Sequence, residues 1–209
     1  MVPELVRTWA AGWAVSRRTP RPVEWPWGVY IEVGAAGQAG RHVLPDATAA
    51  AVRAAAAASG PGTWLKVPEE PDGVRAWLPA GWVVDEEESG HLMAADLRAT
   101  SAAAPDGYRT SVATRDGVIY VRVSDGAGTP AAQGQMAVLG RAAVVDRVVT
   151  EEAHRRRGLG SHVMRALANE ALARGAALGV LGATPDGRAL YETLGWTWRA
   201  PLAACVHRP

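Results

Sequence analysis

The chain has 209 residues, 48% of them hydrophobic and 21% charged, and its 22 Lys+Arg against 21 Asp+Glu leave a formal net charge of +1. That length suits one large domain or two small ones with a sizeable core. The near-neutral balance gives no global attraction for nucleic acid or an anionic membrane, so any basic site must be local. A single cysteine, Cys205, excludes an intramolecular disulfide and a cysteine-rich zinc site. No stretch approaches the apolar length of a membrane-spanning helix, and the N-terminus lacks the basic start and apolar run of a signal peptide. These features point to a reduced, cytoplasmic protein. The nine Trp and absent Phe carry no functional reading, because Trp fills a core wherever its N–H finds a partner.

In chain order, Pro3 and the spacing of Leu5, Val6, Trp9 and Trp13 predict a helix over residues 3–16, against the propensity cost of Gly12. A break at residues 17–22 precedes a strand at 27–33. An alanine-rich helix follows at 47–58 and stops at Gly60-Pro61-Gly62. A short strand at 63–67, turn and helix signals at 71–81, and a strand from Trp82 complete the first half. The second half shows strands at 120–123 and 135–139 around a turn-rich segment at 124–134. A Val-rich stretch at 142–150 reads as a buried central strand. Then come a helix at 158–174 stopped by Gly175, a buried strand at 178–181, a short helix at 186–194, and two short strands within 196–206.

The most informative segment is Val148-Val149-Thr150-Glu151-Glu152-Ala153-His154-Arg155-Arg156-Arg157-Gly158-Leu159-Gly160-Ser161. It runs from a buried strand through a tight turn into a helix with glycines at its start. The first N–H groups of a helix have no intrahelical partner, and the dipole favours an anion there. Gly158 and Gly160 admit a phosphate close to the backbone, while Arg155, Arg156 and Arg157 add charge and forked donors. A Rossmann loop needs a third glycine and a downstream acid, and a nucleotide P-loop needs Gly-Lys-Ser/Thr, whereas Gly160 is followed by Ser161-His162. Taken alone, the Arg-x-x-Gly-x-Gly string describes a solvated basic turn better than a phosphate site.

In its context the segment resembles the GNAT superfamily of N-acyltransferases over roughly residues 117–208. The resemblance rests on Arg155-x-x-Gly158-x-Gly160 after a Val-rich strand, on the strand at 178–181, and on Ala189-Leu190-Tyr191-Glu192-Thr193-Leu194-Gly195-Trp196, with Trp196 in the aromatic position of the family's Leu-Tyr-x-x-x-Gly-Phe signature. It implies an α/β fold with a mixed, splayed central sheet flanked by helices. It implies acetyl-CoA as co-substrate, its pantetheine arm bonded to backbone at Val148, Val149 and Thr150 and its pyrophosphate on Arg155 to Ser161, Leu159 included. A primary amine would attack the thioester directly, and Tyr191 would donate a proton to the departing thiolate. The base that the resemblance implies falls at Asp146 or Arg147, which in a regular strand point to opposite sheet faces. Of these only Asp146 can accept a proton; Glu151 and Glu152 read as a solvated charge pair in the turn, and transfer through water stays open. The acceptor implied is a small-molecule or peptide amine, with no nucleic-acid or membrane partner, and a homodimer is compatible with this reading.

Other residues have bland readings. His154 and His162 are isolated, as a solvated turn histidine and a helix-surface histidine, too few for a metal site. Cys205 reads as a buried inert thiol, and Trp25 and Trp27 as packing rather than acceptor lining.

Pro71-Asp72-Gly73, Trp77 and Gly81-Trp82 align without gaps on Pro185-Asp186-Gly187, Tyr191 and Gly195-Trp196 at a constant offset of 114, from 72 to 186. Residues 47–58 then face 161–172, and 64–67 face 178–181, as in an internal duplication. On that reading residues 1–97 form a smaller, degenerate α/β repeat of the same fold and residues 98–209 the acetyltransferase domain. At the same offset Gly158 falls on Leu44, Gly160 on Asp46 and Tyr191 on Trp77, so the first copy should not bind coenzyme A. The helical pair that family members carry after their first strand is not evident between Arg98 and Val118. Two further functions remain open: an acyl-CoA-binding regulatory module without turnover, and a purely structural partner domain.

Overall fold

A computed structural model describes residues 1–208. The elements are α1 (Val2–Arg17), β1 (Val23–Trp25), β2 (Gly28–Ala35), β3 (Gln38–Val43), α2 (Ala49–Ala57), β4 (Thr63–Val67), α3 (Pro71–Arg75), β5 (Trp82–Val84) and β6 (Gly90–Asp96). They continue as β7 (Tyr108–Arg115), β8 (Val118–Asp125), β9 (Pro130–Leu139), β10 (Ala142–Thr150), α4 (Leu159–Ala173), β11 (Leu178–Ala183), α5 (Pro185–Thr193) and β12 (Thr197–His207). No helix among the described residues is long and apolar enough to cross a membrane.

The strands form a 12-stranded mixed sheet in the order β1-β2-β3-β4-β12-β6-β11-β10-β9-β8-β7, with β5 beside β12. Two parallel pairs, β3 with β4 and β10 with β11, each lead through a helix, α2 and α4 respectively. Each half lends a strand to the other. β6, from the first half, lies antiparallel between β11 and the start of β12. The end of β12 lies antiparallel between β4 and β5 of the first half. The two short strands expected over 196–206 are therefore one continuous strand, which bulges between Trp198 and Ala200 and changes partners after Leu202. Antiparallel neighbours on both sides satisfy its backbone through the seam.

Three other expectations shift. The turn at 124–134 is narrower, because β8 reaches Asp125 and β9 starts at Pro130. The helix within 71–81 ends at Arg75. β3 and β7 escaped the periodicity: β3 buries the non-apolar run Gly40, Arg41 and His42, covered on both faces, and β7 is a largely exposed edge strand with no apolar alternation.

Three clusters hold the layers together. One lies between the sheet and α4, around Ile119, Met136, Leu159, Val163, Leu167 and Leu181. The second lies under α1 and joins Val6, Trp9 and Trp13 to Val144, Val180 and Leu202. The third packs α2 on β4 and β12 through Val52, Leu65 and Cys205. Helix α1 thus covers the face where no helix follows residue 98, which is where a pair was missing from the sequence. Gly12 explains how α1 lies so close: a Cβ there would come within 2.3 Å of a Val144 methyl.

Candidate active site

β10 and β11 pair in parallel from Ala142↔Leu178 to Val145↔Leu181 and then diverge. β10 nevertheless continues to Thr150 on its β9 side. From Asp146 onward its other edge has no strand partner, so backbone groups of Val148, Val149 and Thr150 are open to a ligand. The divergence coincides with a bulge between Asp146 and Val149, where Arg147 takes φ 52°. A bulge defeats strict alternation. Asp146 and Arg147 therefore do not face opposite sides: Asp146 bonds to Ser16 and Arg17 of α1, and Arg147 lines a cavity with those same residues. Both carboxylate oxygens of Asp146 are engaged. Oδ1 accepts from Arg17 Nη2 at 2.8 Å, while Oδ2 accepts from Arg17 Nε and from Ser16 Oγ at 3.0 Å. Gln135 donates to Ser16 Oγ at 2.7 Å and so holds the cluster from β9.

After Thr150 a 3-10 turn spans Glu152–His154, Arg156 takes φ 62°, and Gly158 caps α4 at φ 77°, a left-handed conformation natural to glycine. The first intrahelical bond runs from His162 N–H to Gly158 O at 3.0 Å, leaving the N–H groups of Leu159, Gly160 and Ser161 without intrahelical partners. No side chain caps them. By contrast Thr48 caps α2 and Thr184 caps α5, each at 3.1 Å. Arg157 donates to the Tyr108 hydroxyl at 3.1 Å, which also meets His154 Nδ1 at 3.0 Å, and Arg155 reaches the Thr150 carbonyl at 3.4 Å. Arg156 is exposed. A Cβ at Gly160 would come within 2.9 Å of Leu190, so the loop rests against α5 one residue from Tyr191.

The histidines differ from their expected surface roles. His162 is only 4% exposed, with Nε2 2.6 Å from Thr110 Oγ1, and His154 is half-buried against Tyr108. Edge strand β7 covers both, a tertiary contact that local spacing does not reveal. Among the described residues no group of three or more His, Cys, Asp or Glu could hold a metal ion.

Tyr191 is buried on α5 beside Trp196, and its phenol is pushed up to about 12, first by burial and then by the charge of Asp146. Cys205 is buried and its thiol is raised to about 12, chiefly by burial, as suits an inert packing residue. Trp25 and Trp27 stack on each other at 5.0 Å and pack on His42, away from the splay.

On the α1 side the gap opens into a cavity of about 380 Å³ between the two halves. Val145, Asp146, Gly182 and Ala183 line it together with Arg41, which lies over the Trp13 ring, and Lys66. The sequence reading missed Arg17, Arg41 and Lys66. The one local signal was Lys66 inside the apolar strand Thr63–Val67; the others meet the site only through tertiary packing.

The sequence model of the acetyltransferase (GNAT) family matches residues 74–196, more than half of the chain. The chain belongs to the GNAT family. Solved structures share the fold of this chain. A GCN5-related N-acetyltransferase from Kribbella flavida superposes with a TM-score of 0.68 at 17% identity, covering 98% of this chain and 96% of that one. A tandem GNAT protein from the clavulanic acid biosynthesis pathway gives 0.55 at 16% identity over 75% of this chain and 67% of its own. A GCN5-related N-acetyltransferase from Sphaerobacter thermophilus gives 0.55 at 11% identity, over 70% and 61%. At such identities these likenesses concern the fold. No curated protein matches the chain.

Proposed function

We propose that this GNAT protein is an acetyl-CoA-dependent N-acetyltransferase acting on a primary amine by direct attack. The observation that carries the proposal is the coincidence of the β10–β11 splay with the uncapped, arginine-flanked start of α4. The free edge of Val148 to Thr150 suits the amides of a pantetheine arm. The N–H groups of Leu159 to Ser161, with Arg155, Arg156 and Arg157, suit the pyrophosphate. The start of α2 is capped by the Thr48 side chain, and Leu44 is buried in the core, so the first half offers no such site. Its exchanged strand order supports a duplicated and degenerate GNAT unit, a smaller α/β repeat that walls the acceptor side.

In the reaction the acceptor ammonium first gives up a proton. Its nitrogen attacks the thioester carbonyl, the C–S bond of the tetrahedral intermediate breaks, and the thiolate leaves. The products are the N-acetyl amine, coenzyme A as thiol and one released proton. Asp146 is the carboxylate nearest this path, and Oδ1, with one donor, keeps a lone pair for the amine proton directly or through water. Tyr191 remains protonated at working pH, so it donates a hydrogen bond to the developing thiolate and passes a proton only as the sulfur takes full charge.

Calorimetric titration of acetyl-CoA into the parent and into a folded Gly158→Glu, Gly160→Glu variant tests the loop. The parent should bind with a micromolar Kd, about −8 kcal/mol, and the variant should not. Thiol release with a panel of amines then tests turnover. Binding without turnover would favour the acyl-CoA-binding module, a reading to which the engagement of Asp146 by Arg17 lends weight. No binding by the parent would overturn both.

A further inference from the structure

The cavity on the α1 side of the splay holds an unusual cation. Arg41, on β3, is only 7% exposed, and its guanidinium lies 3.8 Å from the centroid of the Trp13 ring. Its Nε is buried without a hydrogen-bond partner. Among the described residues none of the ion pairs involves Arg41. Lys66, on neighbouring β4, is 6% exposed; it donates to the Glu88 carbonyl at 2.7 Å, with the exposed Glu88 carboxylate 4.0 Å away. Arg17, the third cation of the cavity, is taken up by Asp146. Two buried cations thus share one cavity whose carboxylates are either exposed, as Glu87 and Glu88 are, or already engaged by Arg17, as Asp146 is. Buried charges so incompletely paired are costly unless something completes them. Burial accordingly lowers Arg41 to about 10 and Lys66 to about 8; a neighbouring arginine adds to the effect in each case, and Glu88 with Asp146 or Asp85 offsets only part of it.

We propose that this cavity takes the acceptor, and that the acceptor is a small amine carrying an oxyanion, held at its carboxylate or phosphate by Arg41 and Lys66 with its amine turned toward the splay. The proposal rests on the acetyltransferase reading and assigns its substrate class. The layout supports it. Val145, Asp146, Gly182 and Ala183 bring the cavity to the point where β10 and β11 part, where the acetyl group would emerge, and the cations are contributed by β3 and β4 of the first half. Its volume fits a compact metabolite. An Arg forks two oxygens of one carboxylate or phosphate, which an exposed lysine cannot do. A rival cationic area exists on the open sheet face, at Arg115, Arg122 and Arg147, but those side chains are exposed and their charges screened by solvent.

The experiment uses the full chain with matched probes: glutamate beside glutamine α-amide, phosphoethanolamine beside ethanolamine, and putrescine as a cationic control. The parent should acetylate a member of the anionic set at least about 100-fold more efficiently in kcat/KM than its neutral partner, two charge-assisted contacts being at stake. Arg41→Met and Lys66→Met should each shrink that ratio by about 10-fold or more, while the acetyl-CoA Kd stays within about twofold. Whichever anionic family is preferred decides between carboxylate and phosphate. Equal use of neutral and anionic amines by the parent, or an equal loss for both in the variants, overturns the proposal.

A second readout needs no turnover. Arg41→Met without ligand should melt at or above the parent's temperature, because it removes an unpaired buried cation, and should lose the thermal stabilisation that the anionic probes or inorganic phosphate give the parent. A purely structural Arg41 predicts the reverse, a lower melting temperature and no such stabilisation in the parent. If acetyl-CoA does not bind at all, the acetyltransferase reading fails on its own, and the melting comparison still decides whether the cavity is an anion site.

Discussion

Replacing Gly12 by Ala separates helix propensity from packing, because the two effects have opposite signs there. In an exposed helix interior the change should stabilise by about 1 kcal/mol. In α1 the new Cβ would lie 2.3 Å from Val144 Cγ2 and 2.4 Å from its Cβ, where carbon atoms need about 3.5–4.0 Å. Val144 is fully buried in a central strand and its Cβ cannot rotate away, so α1 must lift by more than about 1 Å. Overpacking of that kind costs about 1–3 kcal/mol. The net expectation is a loss of about 0–2 kcal/mol, in place of the gain of about 1 kcal/mol that propensity alone would give, read in the urea midpoint without a change in m-value. The exposed neighbour calibrates the propensity term: Ala11→Gly should cost about 1 kcal/mol by itself. Acetyl transfer should also fall, since Ser16 and Arg17 ride on α1 and hold Asp146. Should Gly12→Ala stabilise by as much as Ala11→Gly destabilises, the close approach of α1 to β10 is wrong.

Three further outcomes can be checked. Burial lowers His42 from 6.5 to about 4, so the folded state resists protonation; stability should fall by about 1.4 kcal/mol per pH unit from pH 6.5 down to about 4. His42→Gln, which can still accept from Trp27, should flatten that part of the curve in denaturant titrations, and an unchanged slope would count against a neutral buried His42. Cys205 lies where β12 enters the first half, so its labelling by a thiol reagent should match unfolding of the second half, followed by exchange of α4 amides. Labelling well before α4 opens would show that the halves unfold separately. Arg17→Met should destabilise by about 1–3 kcal/mol by leaving the Asp146 carboxylate in a half-buried site without its cation, and Asp146→Asn in the same chain should restore part of the loss; strictly additive effects would argue against the pair.

The parts legible in the sequence are those governed by local rules. Alternating or continuous apolar runs marked β4, β10 and β11, whose identities follow from a period of two and Val-rich burial. The glycines and arginines of residues 155–160 marked an anion-ready helix start, because that property depends on backbone N–H groups within one turn. The Leu-Tyr-x-x-x-Gly-Trp string at 190–196 placed Tyr191 on a short helix for the same local reason. Tertiary structure alone decided the rest. The exchange of β6 and the end of β12 depends on which antiparallel edges are free, and no residue in either strand encodes its partner. The bulge at Arg147 turned Asp146 and Arg147 to one side, a shift by one residue that periodicity cannot detect. Arg41, Lys66 and Arg17 come from three separate elements and meet Asp146 only because α1 lies across the seam, brought down by the missing Cβ of Gly12.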